Sequence, residues 1–440
     1  MQFIYLIVSI YLGRKNPLFF LVFPLALIQG PGAFIDTRTV FIAPEFFLAG
    51  RNIMKDITII YLIFVILYLR PKANFRLLKE TPMKLYFAYI VFLILMTIVT
   101  SGTKYEAISV IRLWLYMVLG YFLLVLLFSS VSTDLFYQFI NVLFWANAIQ
   151  SLFYVLNSSG IYPVFDQSFI YQEIESGSGS FLRDFNTIPN FSGFLFIFGL
   201  TSLLLKEKRI DKKAIYFTLA TYPVVLLFTF TRSLLVTAII QIILILFVLI
   251  RYKPSALFKS YVFIMITCGL FLMIFIKSSF VNEFNYFDER ISGAVEEGTK
   301  EGNVDVRIKY LEKAWELLEN NNSLLLGDGL NKRLDNSMGN IGAWAADSTI
   351  PFLLVYTGLI GALLYFGNML YFLLLTMKED FYLLNPLAIT LFASFSASII
   401  SFFLMGGNSW GSPLVFFDFA LILFLKSSFN NQTGLSVFNR

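Results

Sequence analysis

Long apolar runs recur along the whole chain and constrain its fold more than any other feature of the sequence. A helix needs about 20 mostly apolar residues to cross the hydrocarbon core of a bilayer, and many of the runs reach this length together with their flanks. Because 58% of the 440 residues are hydrophobic and only 14% are charged, the chain has more apolar surface than a water-soluble core would bury. We therefore predict an all-α fold, a polytopic transmembrane helical bundle of about 12 or 13 spans. The runs lie at 17–30, 57–69, 85–100, 107–129, 136–156, 190–205, 214–230, 233–250, 260–277, 349–376, 385–405 and 413–426, and a short run at 2–12 either crosses the membrane or lies at its interface.

Basic residues test the order of these spans, because the cytoplasmic loops of membrane proteins are enriched in lysine and arginine. When the spans are threaded in sequence order, every basic cluster falls on the same side of the membrane. We expect that side to be cytoplasmic. The clusters are Arg14 with Lys15, the cations of 70–84, 206–213 and 251–259, Lys378, and the tail after Lys426.

We expect the chain to form a single membrane domain covering 1–440. One long hydrophilic segment, 278–348, falls on the side of the membrane opposite the basic clusters. It contains 13 acidic and 7 basic residues, and an acidic outside loop is what the positive-inside rule permits. Within it, 304–319 is predicted to form an amphipathic helix, since apolar residues recur at four- and three-residue steps. We expect this helix to pack on the outer surface of the bundle or on lipid headgroups; its apolar stripe consists of Val304, Ile308, Leu311, Trp315 and Leu318.

The residue inventory excludes several kinds of site. The chain has no histidine, which removes imidazole as a general base, proton relay or metal ligand. Its one cysteine, Cys268, cannot form an internal disulfide, and we find no glycine-rich phosphate loop, Cys/His metal cluster or nucleophile elbow. We expect neither a metal ion nor a cofactor. The net charge of +5 indicates membrane orientation rather than nucleic-acid binding.

Five ionisable residues near the predicted outer ends of the spans are candidates for a functional site, because ionisable groups at membrane depth are costly. Arg232 and Arg112 have snorkelling to the interface as the plainer alternative. Arg307 flanks the apolar stripe of the outside helix, where a lipid-linked phosphate would lie, or else forms a solvated pair with a nearby acid. Asp347, just before the span at 349, is either a helix N-cap or a general base. Arg183 lies in the second outside loop. Arginines that converge from separate segments would bind a diphosphate through bidentate hydrogen bonds to its oxygens.

Three segments of the C-terminal half resemble the O-antigen polymerase and O-antigen ligase superfamily of bacterial surface polysaccharide assembly, in the order that the family has them. The first, FTFTRSLLVTAIIQ at 228–241, is similar to a Ser/Thr-Arg-Ser segment that opens a span. The second, VDVRIKYLEKAWELLENNNSLLLGDGLN at 304–331, resembles an arginine-containing helix followed by a Gly-x-Gly turn. The third, ADSTIPFLLVYTGLIGALLYFG at 346–367, resembles a segment in which a His-Asn pair precedes a Gly-containing span. The resemblance covers roughly 180–370.

The resemblance implies a glycosyltransferase with a GT-C-like fold that is metal-independent and inverts the anomeric configuration. The donor would be a glycan on polyprenyl diphosphate in the outer leaflet of the bacterial cytoplasmic (inner) membrane, and the acceptor would be a second lipid-linked repeat unit. Arg232 and Arg307 would neutralise the departing diphosphate, Asp347 would accept the acceptor proton, and Arg183 or Arg112 would position phosphate or sugar. A chain-length regulator and a flippase are the partners that the family implies, and no nucleic acid is expected.

Two alternatives remain open beside the repeat-unit polymerase. The ligases of the family have a histidine where this chain has Asp347, so ligation by that route is disfavoured. A flippase for lipid-linked oligosaccharides would also have about 12 spans, but the sequence shows neither an inverted repeat nor paired broken helices. We rank the polymerase first, the ligase second and the flippase third.

Overall fold

A computed structural model describes the protein, and most of the residues that it describes are helical. It describes residues 2–22, 47–48, 51–52, 54–69, 81–100, 119, 122–123, 126–127, 131–158, 171–176, 179–184, 192–229, 232–254, 303–328, 349–376 and 385–404. These residues form α1 (Gln2–Gly13), a 3₁₀ helix (Pro17–Leu21), β1 (Phe47–Leu48), β2 (Arg51–Asn52), α2 (Met54–Leu69), α3 (Thr81–Thr100), α4 (Thr133–Ser158), β3 (Tyr171–Ser176), β4 (Gly179–Asp184), α5 (Ser192–Leu204), α6 (Lys212–Thr229), α7 (Arg232–Tyr252), α8 (Asn303–Asn320), α9 (Thr349–Thr376) and α10 (Pro386–Leu404). The strands form two antiparallel hairpins, β1–β2 and β3–β4.

Several helices begin at capping residues that can be read from the sequence. The Asn16 side chain accepts a hydrogen bond from the Leu18 amide at the start of the 3₁₀ helix, at 3.1 Å. Asp211 and Asn385 accept in the same way at the starts of α6 and α10, each at 2.9 Å. Such caps satisfy amide groups that have no partner inside the helix. They fix where the apolar runs become helical.

The chain divides into two compact units. Unit 1 comprises Met1–Met54, Val131–Glu296 and Tyr382–Ser394, and unit 2 comprises Lys55–Ser130, Glu297–Phe381 and Phe395–Arg440. In unit 1, α4 and α5 both pack against α6. A Cβ atom on Gly199 would lie 3.0 Å from Ile215 and 3.3 Å from Phe144, so the absence of a side chain there lets α5 approach its neighbours closely. The core of unit 1 is aromatic, with Phe139, Phe144 and Phe198 fully buried.

Unit 2 is built on α9, which packs against both α3 and α8. The rings of Tyr89 on α3 and Tyr365 on α9 lie 5.7 Å apart. At Gly361 of α9, an added Cβ atom would lie 2.9 Å from the ring of Phe92. Close helix packing through small residues is typical of membrane bundles.

Apolar side chains on the outside of α9 favour contact with lipid. Leu363, Leu370 and Leu374 are 72%, 53% and 53% exposed, and their spacing puts them on one face of the helix. Among the described residues, one segment, Leu353–Thr376, is both long and apolar enough to cross a membrane, and five shorter apolar helices accompany it. The structure thus supports membrane association and a mostly helical fold.

Candidate functional site

The helix α9 is broken at Gly358, within the segment that is long enough to span a membrane. Gly358 has φ +60° and ψ −168°, a backbone conformation that is essentially restricted to glycine. A break of this kind removes backbone hydrogen bonds from the helix. In lipid those groups must find other partners inside the protein.

The partners come from residues 323–328, the segment that follows α8 and that we call the docking loop. The amide groups of Leu359 and Ile360 donate to the carbonyl oxygens of Leu324 and Leu325, at 3.0 and 3.1 Å. In the reverse direction, the Asp328 amide donates to the Val355 carbonyl oxygen at 2.7 Å. The docking loop therefore replaces, across the break, part of the hydrogen bonding that a continuous helix would supply.

Two glycines make this contact possible. Gly327 of the docking loop has φ +75°, and a Cβ atom there would lie 2.5 Å from the Gly358 nitrogen and 2.6 Å from the Thr357 nitrogen. A Cβ atom on Gly358 would in turn meet the Gly327 nitrogen and lie 2.5 Å from the Leu325 carbonyl carbon. Because each glycine faces backbone atoms that cannot rotate away, neither position accepts a side chain without separation of the two segments.

The helix α8 also packs on the first part of α9, the part before the break. Ala314 is fully buried and contacts Val355, with Leu317 partly buried beside them. The docking loop that follows α8 then contacts both sides of the break, since Leu324 and Leu325 bond to Leu359 and Ile360 while Asp328 bonds to Val355.

This arrangement bears on two of the residues that the sequence singled out. Arg307 belongs to α8, seven residues before Ala314, which is close to two helical turns and about 10 Å along the helix. Asp347 precedes the first residue of α9 by two positions in the sequence and lies outside the described residues. The contact between α8 and α9 therefore joins the helix that contains Arg307 to the helix that follows Asp347 in the sequence.

The remaining candidates belong to unit 1 or lie outside the described residues. Arg183 is in β4, where it pairs with Gln172 across the hairpin, and β4 packs against α6. Arg232 is the first residue of α7, three positions after the end of α6. In sequence the hairpin lies between α4 and α5, and both arginines belong to unit 1. Arg112 lies outside the described residues.

Sequence reasoning missed a buried polar cluster in unit 1. The Ser192 hydroxyl donates to the Asn147 Oδ1 atom at 2.6 Å and lies 3.4 Å from the Ser151 hydroxyl. All three residues are buried. Polar side chains in lipid-embedded helices link neighbouring helices by hydrogen bonds, and here they join α4 to the start of α5. The signal in the sequence was the Asn147–Ser151 spacing of four, one helical turn.

The docking loop contributes one further charged group. The Asp328 carboxylate accepts a hydrogen bond from the Asn321 side-chain amide at 2.8 Å, while the Asp328 backbone amide bonds to α9. This pairing fixes the turn between α8 and the break. Within the described ranges, no three His, Cys, Asp or Glu side chains come together as a metal-ligand group.

No protein-family model matches the sequence, and a search of curated proteins likewise finds no match.

Proposed function

We propose that the chain is a polytopic membrane glycosyltransferase that polymerises the repeat units of a surface polysaccharide, such as an O-antigen, capsule or exopolysaccharide. Its substrates would be oligosaccharides linked to polyprenyl diphosphate, and its site would face outward from the bacterial cytoplasmic membrane. This proposal rests first on the three sequence segments that resemble the O-antigen polymerase and ligase superfamily.

The observation that carries the proposal furthest is the contact between two of those segments. The Leu-Leu-Leu-Gly-Asp turn at 324–328 and the Tyr-Thr-Gly-Leu-Ile stretch at 356–360 are separated by about 30 residues of sequence, yet they form one hydrogen-bonded unit. Two segments that resembled the family only in composition would not be expected to contact each other in the folded protein. Their contact supports the view that the resemblance reflects a common local architecture around α8 and α9.

The proposed reaction is an inverting displacement at the anomeric carbon of the donor. An acceptor hydroxyl oxygen forms the new glycosidic bond as the bond to the diphosphate oxygen breaks, and polyprenyl diphosphate leaves with the electron pair. Asp347 takes the hydroxyl proton as general base. Arg307 and Arg232 stabilise the charge that develops on the diphosphate, since guanidinium groups bind phosphate oxygens in pairs. Arg183 and Arg112 position the phosphate or the sugar.

One structural feature also bears on the flippase alternative. Transporters commonly bind substrate or ions at the broken part of a discontinuous helix, and α9 is discontinuous at Gly358. In this protein, however, the Leu359 and Ile360 amides and the Val355 carbonyl at the break are bonded to the docking loop. Those backbone groups are therefore occupied, which favours a structural break over a binding site for a transported ion.

The experiment uses the full-length protein in nanodiscs with the polyprenyl-diphosphate repeat unit of the host and a chelator of divalent metals. The products are separated on a gel, with Arg232→Ala, Arg307→Ala and Asp347→Asn alongside the wild type. Loss of one group that stabilises transition-state charge typically lowers turnover by about 10²–10³-fold. Lys313→Ala serves as the matched control, because Lys313 is an exposed cation on the same helix as Arg307.

A ladder of products that is lost in the two arginine variants and kept in Lys313→Ala is the expected result. A single addition to an acceptor of a different class, with no ladder, would indicate the ligase. If the folded protein produces neither while it moves the lipid-linked unit across proteoliposomes, the flippase replaces the polymerase. Full activity of Asp347→Asn would remove Asp347 from the role of general base.

A further inference from the structure

The connection between α5 and α6 is a rigid basic turn that lies outside the proposed reaction. Residues 205–213 read LKEKRIDKK and contain five cations. Lys206 has φ +58°, a conformation that is uncommon for residues other than glycine. The Glu207 amide donates to the Ser202 carbonyl oxygen at 2.8 Å, so the turn closes onto the end of α5 in the manner of a helix C-cap.

Side chains of α4 hold this turn in place. The Asn141 side-chain amide donates to the Arg209 carbonyl oxygen at 2.9 Å and its Oδ1 atom accepts from the Asp211 amide at 2.8 Å. The Arg209 guanidinium lies 3.9 Å from the centre of the Tyr137 ring. Asn141 thus bonds the backbone of the turn from both sides, as a neighbouring peptide group would.

The acidic side chains of the turn accept hydrogen bonds from other groups of the protein. Glu207 accepts two hydrogen bonds from the Arg209 guanidinium, both at 2.9 Å, and these bonds hold the pKa of the Glu207 carboxyl below its usual value. Asp211 caps α6 and accepts from the Trp145 indole nitrogen at 3.1 Å. The only other acid facing this turn from the described part of α4 is Asp134, an exposed residue whose charge acts on Arg209.

Four lysines remain exposed on the turn and on the start of α6, and none of them takes part in a salt bridge among the described residues. They are Lys206, Lys208, Lys212 and Lys213. Two more exposed cations, Arg14 and Lys15, come from the end of α1. The next residue, Asn16, donates to the Leu135 carbonyl oxygen of α4 at 2.9 Å. The N-terminal end of α4 therefore gathers two separate basic segments at one end of unit 1.

Aromatic and apolar side chains adjoin this basic end. Trp145 is 41% exposed while its indole nitrogen is bonded to Asp211, and Tyr216, one turn into α6, is also exposed. One turn further along α4, Ile149 is 54% exposed. Exposed tryptophan and tyrosine beside lysines, with apolar side chains beyond them, is the pattern of a membrane–water interface. Lysines in such an interface lie at the level of the lipid headgroups.

We propose that this turn is a preformed binding site for the phosphate headgroups of anionic phospholipids, such as phosphatidylglycerol, in the leaflet at the basic end of unit 1. The lysines supply the positive charge, and the bonds to Asn141 hold them in a fixed arrangement. A nucleic acid or an acidic protein would not need the exposed indole and apolar side chains at the same level. The proposal does not depend on the polymerase reaction.

The test compares the full-length protein in nanodiscs of pure phosphatidylcholine with nanodiscs that contain equal parts of phosphatidylcholine and phosphatidylglycerol. The readouts are the melting temperature and the number of phosphatidylglycerol molecules retained in native mass spectrometry. A lysine near an anionic surface contributes about fivefold to binding. Replacing all four lysines by glutamine should lower retention by more than about tenfold, whereas replacing them by arginine, the matched control, should preserve it.

Two further outcomes keep the test decisive. In Asn141→Ala, which leaves every charge in place, retention of phosphatidylglycerol should fall, because the lysines are no longer held together. Unchanged retention would mean that the lipid responds to net positive charge alone and not to a preformed site, and would overturn the proposal. Equal retention by the glutamine variant and the wild type would overturn it as well. If the fourfold variant does not fold, the pair Lys206→Gln and Lys208→Gln is measured in its place, with a proportionally smaller loss expected.

Discussion

Substitution of Gly358 by alanine should separate the docking loop from α9. The added Cβ atom would meet the Gly327 nitrogen and lie 2.5 Å from both the carbonyl carbon and oxygen of Leu325. These are backbone atoms, so the contact cannot be relieved by a side-chain rotation. The backbone conformation at φ +60° and ψ −168° adds about 1–3 kcal/mol for any residue other than glycine.

The magnitude follows from what must be lost when the segments part. Three hydrogen bonds cross between the docking loop and α9, and each contributes about 1 kcal/mol net. Together with the backbone strain, the expected destabilisation of this contact is about 4–6 kcal/mol. A change of this size lowers the protection of an amide from exchange by about a thousandfold or more.

Hydrogen exchange measured by mass spectrometry on peptides that contain Leu359 and Ile360 is the direct assay, with the melting temperature in detergent as a second readout. The matched control is Gly367→Ala on the same helix, because a Cβ atom at Gly367 meets nothing within 4 Å and alanine is the better helix former. We expect Gly367→Ala to be at least as stable as the wild type. If Gly358→Ala matches Gly367→Ala in both melting temperature and exchange at 359–360, the contact between Gly327 and Gly358 does not exist in solution.

Three smaller perturbations test other contacts. Glu207→Gln should cost about 1 kcal/mol at neutral pH. Because the bonds from Arg209 lower the pKa of Glu207, this stabilisation is complete above the unfolded-state pKa of about 4.3 and disappears as the pH falls through the folded-state pKa. A difference in melting temperature between the variant and the wild type that persists in acid would refute the assignment. Asn16→Ala removes both the cap of the 3₁₀ helix and the bond to Leu135 and should cost about 1–2 kcal/mol, measured by thermal unfolding; an unchanged melting temperature would contradict this. Ser192→Ala leaves the buried Asn147 oxygen without its donor and should cost about 1–3 kcal/mol, whereas Ser192→Thr, which keeps the hydroxyl, should lose less; equal losses would point to packing instead.

Helices were the part of the fold that local sequence could predict. The amphipathic helix expected at 304–319 runs from Asn303 to Asn320, and the apolar run at 349–376 coincides with α9. Both signals are local, since a repeat of three or four residues or a long apolar run depends on neighbouring positions alone. The face that α8 buries was harder to predict. Leu311 and Trp315 of the expected stripe are about 40% exposed, whereas Ala314 is fully buried, because a small residue allows close approach to Val355.

The break in α9 and the hairpin β3–β4 show two different reasons for a miss. Gly358 lies in an apolar run where glycine is common in membrane helices, and what breaks the helix there is a partner segment 30 residues earlier in the sequence. No local pattern contains that information. The hairpin had a local signal, the Gly177-Ser178 pair between two runs that can form strands, but the helical composition of the chain obscured it. Convergence of the candidate arginines stays a prediction, because residue spacing does not encode a tertiary property of this kind.

The contact between the docking loop and α9 explains why a membrane helix would tolerate a break. A continuous helix at 349–376 would satisfy its own backbone groups, so the break exchanges internal hydrogen bonds for bonds to residues 324–328 and requires two glycines at positive φ. This exchange brings little net stability, since bonds to the docking loop only take the place of bonds within the helix. What it does provide is a fixed position for α8 relative to the first part of α9, because the docking loop begins three residues after the end of α8. If Arg307 acts on a diphosphate as proposed, a rigid link of this kind keeps the helix that contains it at a constant distance from α9.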